Sequence, residues 1–183
     1  MVRLMYQGWD SVQKVQCMNR AEPDQSHKKI SVRKIQKKDI PKCSAILRRL
    51  PQWFGIEESI LEYEQNLHAL DGYVAETESS IVGFVGLKRY GEFSIEIDVI
   101  GVEPDLRRSG IGRKLLEHVE KHATTTWTKL LHMKTLAPSD PDENYTETRA
   151  FWEANGYIPM DAHELWGKEN PCQVMVKPVR DRP

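Results

Sequence analysis

The stretch Ser94 to Glu117, SIEIDVIGVEPDLRRSGIGRKLLE, constrains the chain more than any other. Ile95, Ile97, Val99 and Val102 are β-branched, and Glu96 and Asp98 alternate with them, which predicts a half-buried strand. Pro104 lacks an N–H and ends the ladder. A short turn, Asp105 to Ser109, carries Arg107 and Arg108. After Gly110 and Gly112 the apolar positions change period. Ile111, Leu115, Val119 and Ala123, widened by Leu116, mark one face of a helix. Glu117 and Lys121 stand four apart, acid first, the favourable order for a helix ion pair.

A strand, a glycine turn and a helix in that order make an anion site. The first N–H groups of a helix have no intrahelical partner, and the helix dipole puts its positive end there. At Gly110 and Gly112 a phosphate can reach bare backbone, and Arg107, Arg108 and Arg113 add charge. Each charge-assisted N–H bond to phosphate contributes roughly 1.5–3 kcal/mol. A P-loop needs four residues between its glycines and then Gly-Lys-Ser/Thr, whereas Arg113 and Lys114 follow Gly112. A dinucleotide fingerprint needs a third glycine where Leu115 stands.

The spacing Arg107-x-x-Gly110-x-Gly112 after a strand resembles the acetyl-coenzyme A loop of the GCN5-related N-acetyltransferase (GNAT) superfamily. Two further matches strengthen the resemblance. Tyr145 to Tyr157, YTETRAFWEANGY, looks like that family's last helix and following strand, with an aromatic pair and then Gly-Tyr. The remaining elements come in the order the family's fold requires, so the likeness covers about Ile30 to Val179.

Composition bounds the alternatives. At 183 residues the chain has the length of one domain with a sizeable core. Its 26 Lys and Arg nearly balance its 27 Asp and Glu, which argues against a nucleic-acid binder and an acidic membrane surface. Neither a long apolar run nor a signal-peptide pattern near Met1 is seen. Cys17, Cys43 and Cys172 are scattered, without a Cys-x-x-Cys, which fits a reducing cytoplasm better than a disulfide framework.

Residues 1–29 read as an N-terminal extension, with a short strand or helical turn over Val12 to Met18 and a polar linker over Ala21 to Lys29. The domain proper is expected over residues 30–183. Ile30 to Ile35 alternates and predicts the first strand. Asp39 is the expected N-cap of a helix with Pro41 in its first turn and Ile40, Cys43, Ile46, Leu47 and Leu50 on one face. Pro51 breaks it before the loop Gln52-Trp53-Phe54-Gly55, and a second helix is expected from about Glu57 to Leu70. Tyr73 to Glu76 and Ile81 to Tyr90 predict an antiparallel hairpin. Leu130 to Leu136 reads as a fifth strand, Tyr145 to Ala154 as the last helix, and Tyr157 to Met160 and Gln173 to Val176 as the final strands. The fold class is α/β (α+β): the GNAT acyl-CoA N-acyltransferase fold, a mixed, mostly antiparallel sheet with helices on both faces, as the resemblance implies it.

The resemblance implies direct transfer of an acetyl group from acetyl-CoA to the amine of a small molecule or a protein, with no metal. Homodimer assembly is left open. The loop residues Arg107, Arg108, Ser109, Gly110, Ile111, Gly112 and Arg113 would hold the diphosphate. Ile100, Gly101 and Val102 would pair with the pantetheine arm like an added strand, and Gly101 suits a close approach. A lysine-like amine is neutral at pH 7 about once in 2,500 molecules, a cost of roughly 4.6 kcal/mol, so a base helps. Glu96 is the candidate, matching a glutamate on this strand in histone-type members; Asp98 is next. By simple alternation Glu96 and Asp98 share a face with Ile100. Where many members place a tyrosine acid, this chain has Trp152, whose indole N–H is no acid at neutral pH. Tyr145 sits near the expected pantetheine path, and Trp53 and Phe54 flank the acceptor side, with core packing as their alternative role. His118 and His122 stand four apart, but two ligands do not make a metal site, and a solvated helix face is the simpler reading. Two alternatives compete with catalysis on an acetyl donor: a module that binds acetyl-CoA without turnover, and a transferase using a longer acyl chain.

Overall fold

The computed structural model describes residues 29–69 and 71–179. The readings of residues 1–28 and of Leu70 lie outside them. The chain begins with strand β1, Ser31–Lys34, then a 3-10 turn, Lys37–Asp39, and helix α1, Ile40–Arg48. Asp39 occupies the N-cap position but does not cap: its carboxylate receives Arg33 at 2.6 Å and the Gln36 amide at 2.9 Å. Helix α2, Glu57–Ala69, leads into strands β2, Asp71–Glu76, and β3, Ile81–Tyr90. Strand β4, Ser94–Val102, precedes helix α3, Ile111–Thr125, and strand β5, Leu130–Leu136. Helix α4, Glu143–Ala154, starts two residues before the aromatic pattern suggests, because Asp142 caps it by accepting from the Asn144 amide at 2.7 Å. Strands β6, Ile158–His163, and β7, Cys172–Pro178, come last, each longer than their apolar runs imply.

These strands form one sheet in the order β1-β2-β3-β4-β5-β7-β6. Only β4 and β5 run parallel among the described pairs, joined through α3. Alternating strand residues feed two cores. Val85, Ile95, Ile97 and Met133 meet Leu115, Leu116 and Val119 of α3 and Trp152 of α4. Val74, Phe84 and Val99 meet Ile40, Ile46 and Leu47 of α1 and Ile60 and Leu67 of α2. The sheet therefore has helices on both faces.

Two irregularities mark β4. Gly86 pairs with Val99 and Leu87 with Ile97, so Asp98 is an extra residue, a β-bulge. The alternation shifts phase there. Ile100 and Val102 pack on the α3 side, while Gly101 points at α1. The expectation that Ile100 shares a face with Glu96 and Asp98 is thus corrected by the bulge. Second, β4 and β5 pair only from Ser94 to Glu96 against Leu130 to His132, although β4 runs on to Val102 and β5 to Leu136. Beyond that point the strands splay.

Candidate active site

A cleft of about 640 Å³ enters the splay between β4 and β5. At one end stands the glycine loop. A 3-10 turn, Pro104–Leu106, leads to Arg107 and then to Arg108, which takes a left-handed φ of 63°. The Ser109 hydroxyl closes this turn by donating to the Leu106 carbonyl at 2.6 Å. Gly110 has φ 83°, and a Cβ there would meet nothing within 4 Å: the space above it is open. The first intrahelical bond runs from the Lys114 N–H to the Gly110 carbonyl at 3.0 Å, which leaves the amides before Lys114 without intrahelical partners. Gly112 has a different reason to be glycine: a Cβ there would lie 3.1 Å from the Phe151 ring on α4.

Most residues singled out for the cofactor reach this cleft. Ile100, Gly101 and Val102 line it from β4, and Arg107, Arg108, Gly110, Gly112 and Arg113 from the loop. Tyr145 and Trp152 line it from α4. Ile111 is buried in the core, and the Ser109 side chain is spent on the turn. The glycine at 101 makes room for α1, since its Cβ would come within 3.0 Å of Phe84 and 3.3 Å of Ile46.

Trp53 and Phe54 stand between core and cleft. They pack against the α1–α2 core and also line the cleft. Phe54 meets Tyr63 of α2 edge to face, with centroids 5.7 Å apart. The Arg107 guanidinium lies 4.2 Å from the Trp53 ring centroid.

Glu96 is no solvent-facing glutamate; it is 3% exposed. Lys134 of β5, two residues past the last β4–β5 pair, reaches its Oε1 at 2.6 Å. The other oxygen, Oε2, is buried without a hydrogen bond. Asp98, by contrast, stands in the cleft wall, and Asn66 of α2 donates to its Oδ2 at 3.3 Å. Burial, with the neighbouring Glu96 charge, holds the Asp98 carboxyl above the usual range; Lys88, Asn66 and Lys134 pull the other way. Burial and the Asp98 charge push the Tyr63 phenol up to about 12. The Tyr145 phenol is raised by burial, and its hydroxyl donates to the Trp53 carbonyl at 3.3 Å. Tyr157, outside the cleft lining, has a buried hydroxyl with no partner and a strongly raised phenol. Trp152 is 1% exposed, its ring centroid 4.8 Å from that of Tyr157.

Sequence reasoning missed Tyr63, Lys134, Thr135, Glu147 and Trp166, all of which line the cleft. Their signal is tertiary: each is an ordinary helix, strand or loop residue in sequence. The Thr135 hydroxyl is buried without a partner on the β5 side of the splay. His118 and His122 sit beside Tyr73, ring centroids 5.9 and 6.1 Å away. Among the described residues, no group of three or more His, Cys, Asp and Glu could hold a metal ion. No described helix is long and apolar enough to cross a membrane.

Comparison with known proteins bears on this arrangement. Residues 69–159 match the model of the acetyltransferase (GNAT) domain. A search of curated proteins gives no match. Among solved structures, the ribosomal-protein-S18-alanine N-acetyltransferase of Escherichia coli superposes with a TM-score of 0.68 at 17% identity, over 85% of this chain and 97% of that one. The aminoglycoside 6'-N-acetyltransferase of Enterococcus faecium gives a TM-score of 0.66 at 21% identity, over 84% and 99%. Another aminoglycoside 6'-N-acetyltransferase, complexed with coenzyme A, gives 0.67 at 20% identity, over 84% and 99%. These relatives share the fold, and the chain belongs to the GNAT acetyltransferase family.

Proposed function

We propose that this chain transfers an acetyl group from acetyl-CoA to a primary amine of a small molecule or a protein. The observation that carries the reading is one of coincidence. A single cleft joins an open glycine loop, an unpaired strand edge and a half-buried carboxylate. The structural relatives act on aminoglycosides or on a ribosomal-protein alanine, so both acceptor classes stay in view.

The residues fit the co-substrate. Gly110 leaves open space over the free amides, with Arg107 and Arg108 beside it. The β4 edge past Glu96 has unpaired backbone toward β5, and the orphaned Thr135 hydroxyl stands on the β5 side of the same notch. Acetyl-CoA supplies an activated acetyl thioester when bound. The chain's own residues orient the acceptor and handle its proton. Asp98, on the cleft wall, takes the proton from the amine. Its raised affinity for that proton narrows the gap to the amine. Glu96, outside the cleft lining and paired with Lys134 of the cleft wall, supplies the neighbouring negative charge that helps to raise Asp98. Tyr63 and Phe54 form an aromatic wall on the acceptor side. A thiol of pKa near 8.5 leaves without a strong acid, so Trp152 at the tyrosine position does not block the chemistry.

The test is steady-state release of free thiol from acetyl-CoA across a panel of amines, repeated with propionyl and succinyl donors. Turnover on one amine class with the acetyl donor supports the reading. Tight binding with no release on any acceptor would replace it with a binding module, the alternative that Trp152 favours.

A further inference from the structure

The two loop arginines that precede the glycines already hold an anion. Glu147 of α4 reaches Arg108 at 3.1 Å and Arg107 at 3.6 Å. All three residues line the cleft at the glycine-loop end. Arg107 is held from its other side by the Trp53 ring, 4.2 Å away. That indole is itself tied to α4: its Nε1–H donates to the Thr148 hydroxyl at 3.1 Å. The Arg113 guanidinium is engaged elsewhere, with Glu117 one turn along its own helix at 3.1 Å. A carboxylate on paired guanidiniums makes the same charge-assisted bonds that a phosphate oxygen would make. Glu147 is half exposed, at 53%, so it can swing away without losing a packed side chain.

We infer that Glu147 is a specificity-determining residue of the carrier site: it competes with the carrier's diphosphate for Arg107 and Arg108. The inference rests on the acetyl-CoA reading of the cleft. A diphosphate must displace Glu147 to gain both arginines, and Glu147 returns to them as the spent carrier leaves. The pantetheine arm lies outside this exchange. Glu147 therefore lowers the affinity for the whole carrier without lowering that for its arm, and it favours product release.

The experiment is calorimetric binding of CoA and of pantetheine to the full chain and to Glu147→Gln, at about 50 mM and about 500 mM salt. Two exposed ion pairs lost to the free protein predict CoA binding about fivefold tighter in the variant at low salt. The gain should shrink at high salt, and pantetheine affinity should be equal in both proteins. Equal or weaker CoA binding by a folded Glu147→Gln, as judged by circular dichroism, would overturn the inference, because Glu147 would then be orienting the arginines rather than competing for them. Tightening of pantetheine by the same factor would also overturn it. Failure of the unaltered chain to bind CoA at all would instead strike the acetyl-CoA reading, and this inference with it.

Discussion

The Lys134 ammonium on β5 lies 2.6 Å from Oε1 of Glu96 on β4, while Oε2 of the same carboxylate is buried with no hydrogen bond. The pair bridges the two strands where their backbone pairing stops. A buried ion with one satisfied oxygen depends heavily on its single partner. Lys134→Met should therefore cost about 3 kcal/mol of folding stability, read as a lower urea midpoint with an unchanged slope. A loss below about 0.5 kcal/mol would mean that water already shares the Glu96 charge.

Asp98→Asn should lower kcat/KM about 10²- to 10³-fold and leave CoA affinity nearly unchanged. Glu96→Gln should lower turnover at neutral pH less, again with CoA affinity nearly unchanged. In the unaltered chain the acid limb of the pH–rate profile should fall at a pH above that of an ordinary aspartate, since Asp98 is raised by burial and by Glu96. Activity is present above that point and lost below it, because only the ionised form accepts a proton. Stability runs the other way. A carboxyl raised in the folded state favours folding at low pH, and the contribution is lost as pH rises through the folded value. Asp98→Asn should then raise the melting temperature at neutral pH. An asparagine variant whose rate matches the parent's at every pH would remove Asp98 from the mechanism.

The glycines separate into two kinds, and substitution should show it. Gly110→Asp places a carboxylate at a left-handed position beside open space, so it should weaken CoA binding by at least about tenfold while costing little more than the backbone strain of about 1 kcal/mol. Gly101→Val drives a side chain into Phe84 and Ile46, so it should cost about 1–3 kcal/mol of stability. Parallel thermal melts and CoA titrations check both. A Gly101→Val protein as stable as the parent would contradict the packing described.

Arg33 and Asp39 make the clearest pH-dependent contribution to folding. Hydrogen bonding to Arg33 holds the buried Asp39 carboxyl below the usual carboxylate range. A depressed carboxyl stabilises the fold above its unfolded value near 3.9, and the contribution is lost as pH falls through the folded value. Arg33→Met should cost about 2–3 kcal/mol at neutral pH, by leaving Asp39 buried without its partner, and should flatten the acid limb of the stability curve. Urea titrations from about pH 7 to about pH 3 read both effects.

Local chemistry along the chain is enough for the strand, turn and helix of the glycine loop, because period, proline and glycine act within a few residues there. The bounds of β3 and β5 come from the apolar runs Ile81 to Tyr90 and Leu130 to Leu136. The start of α4 is less legible, since its cap, Asp142, is one acid among several in a polar loop. Asp39 has the neighbours of a cap, yet a strand arginine claims its carboxylate.

The order of elements and the place of the glycine loop follow from the chain's own pattern, because both depend on contacts close along it. The packed fold settled which acid faces the cleft. One extra residue at Asp98 shifts the alternation of β4, and no periodicity in a single strand reveals a bulge made by its pairing with Gly86 and Leu87. It also decided the partners of the site. Lys134 meets Glu96 from 38 residues away, and Arg108 meets Glu147 from 39, because a parallel crossover and a returning helix bring them together. Separations of that kind are set by packing two cores on one twisted sheet.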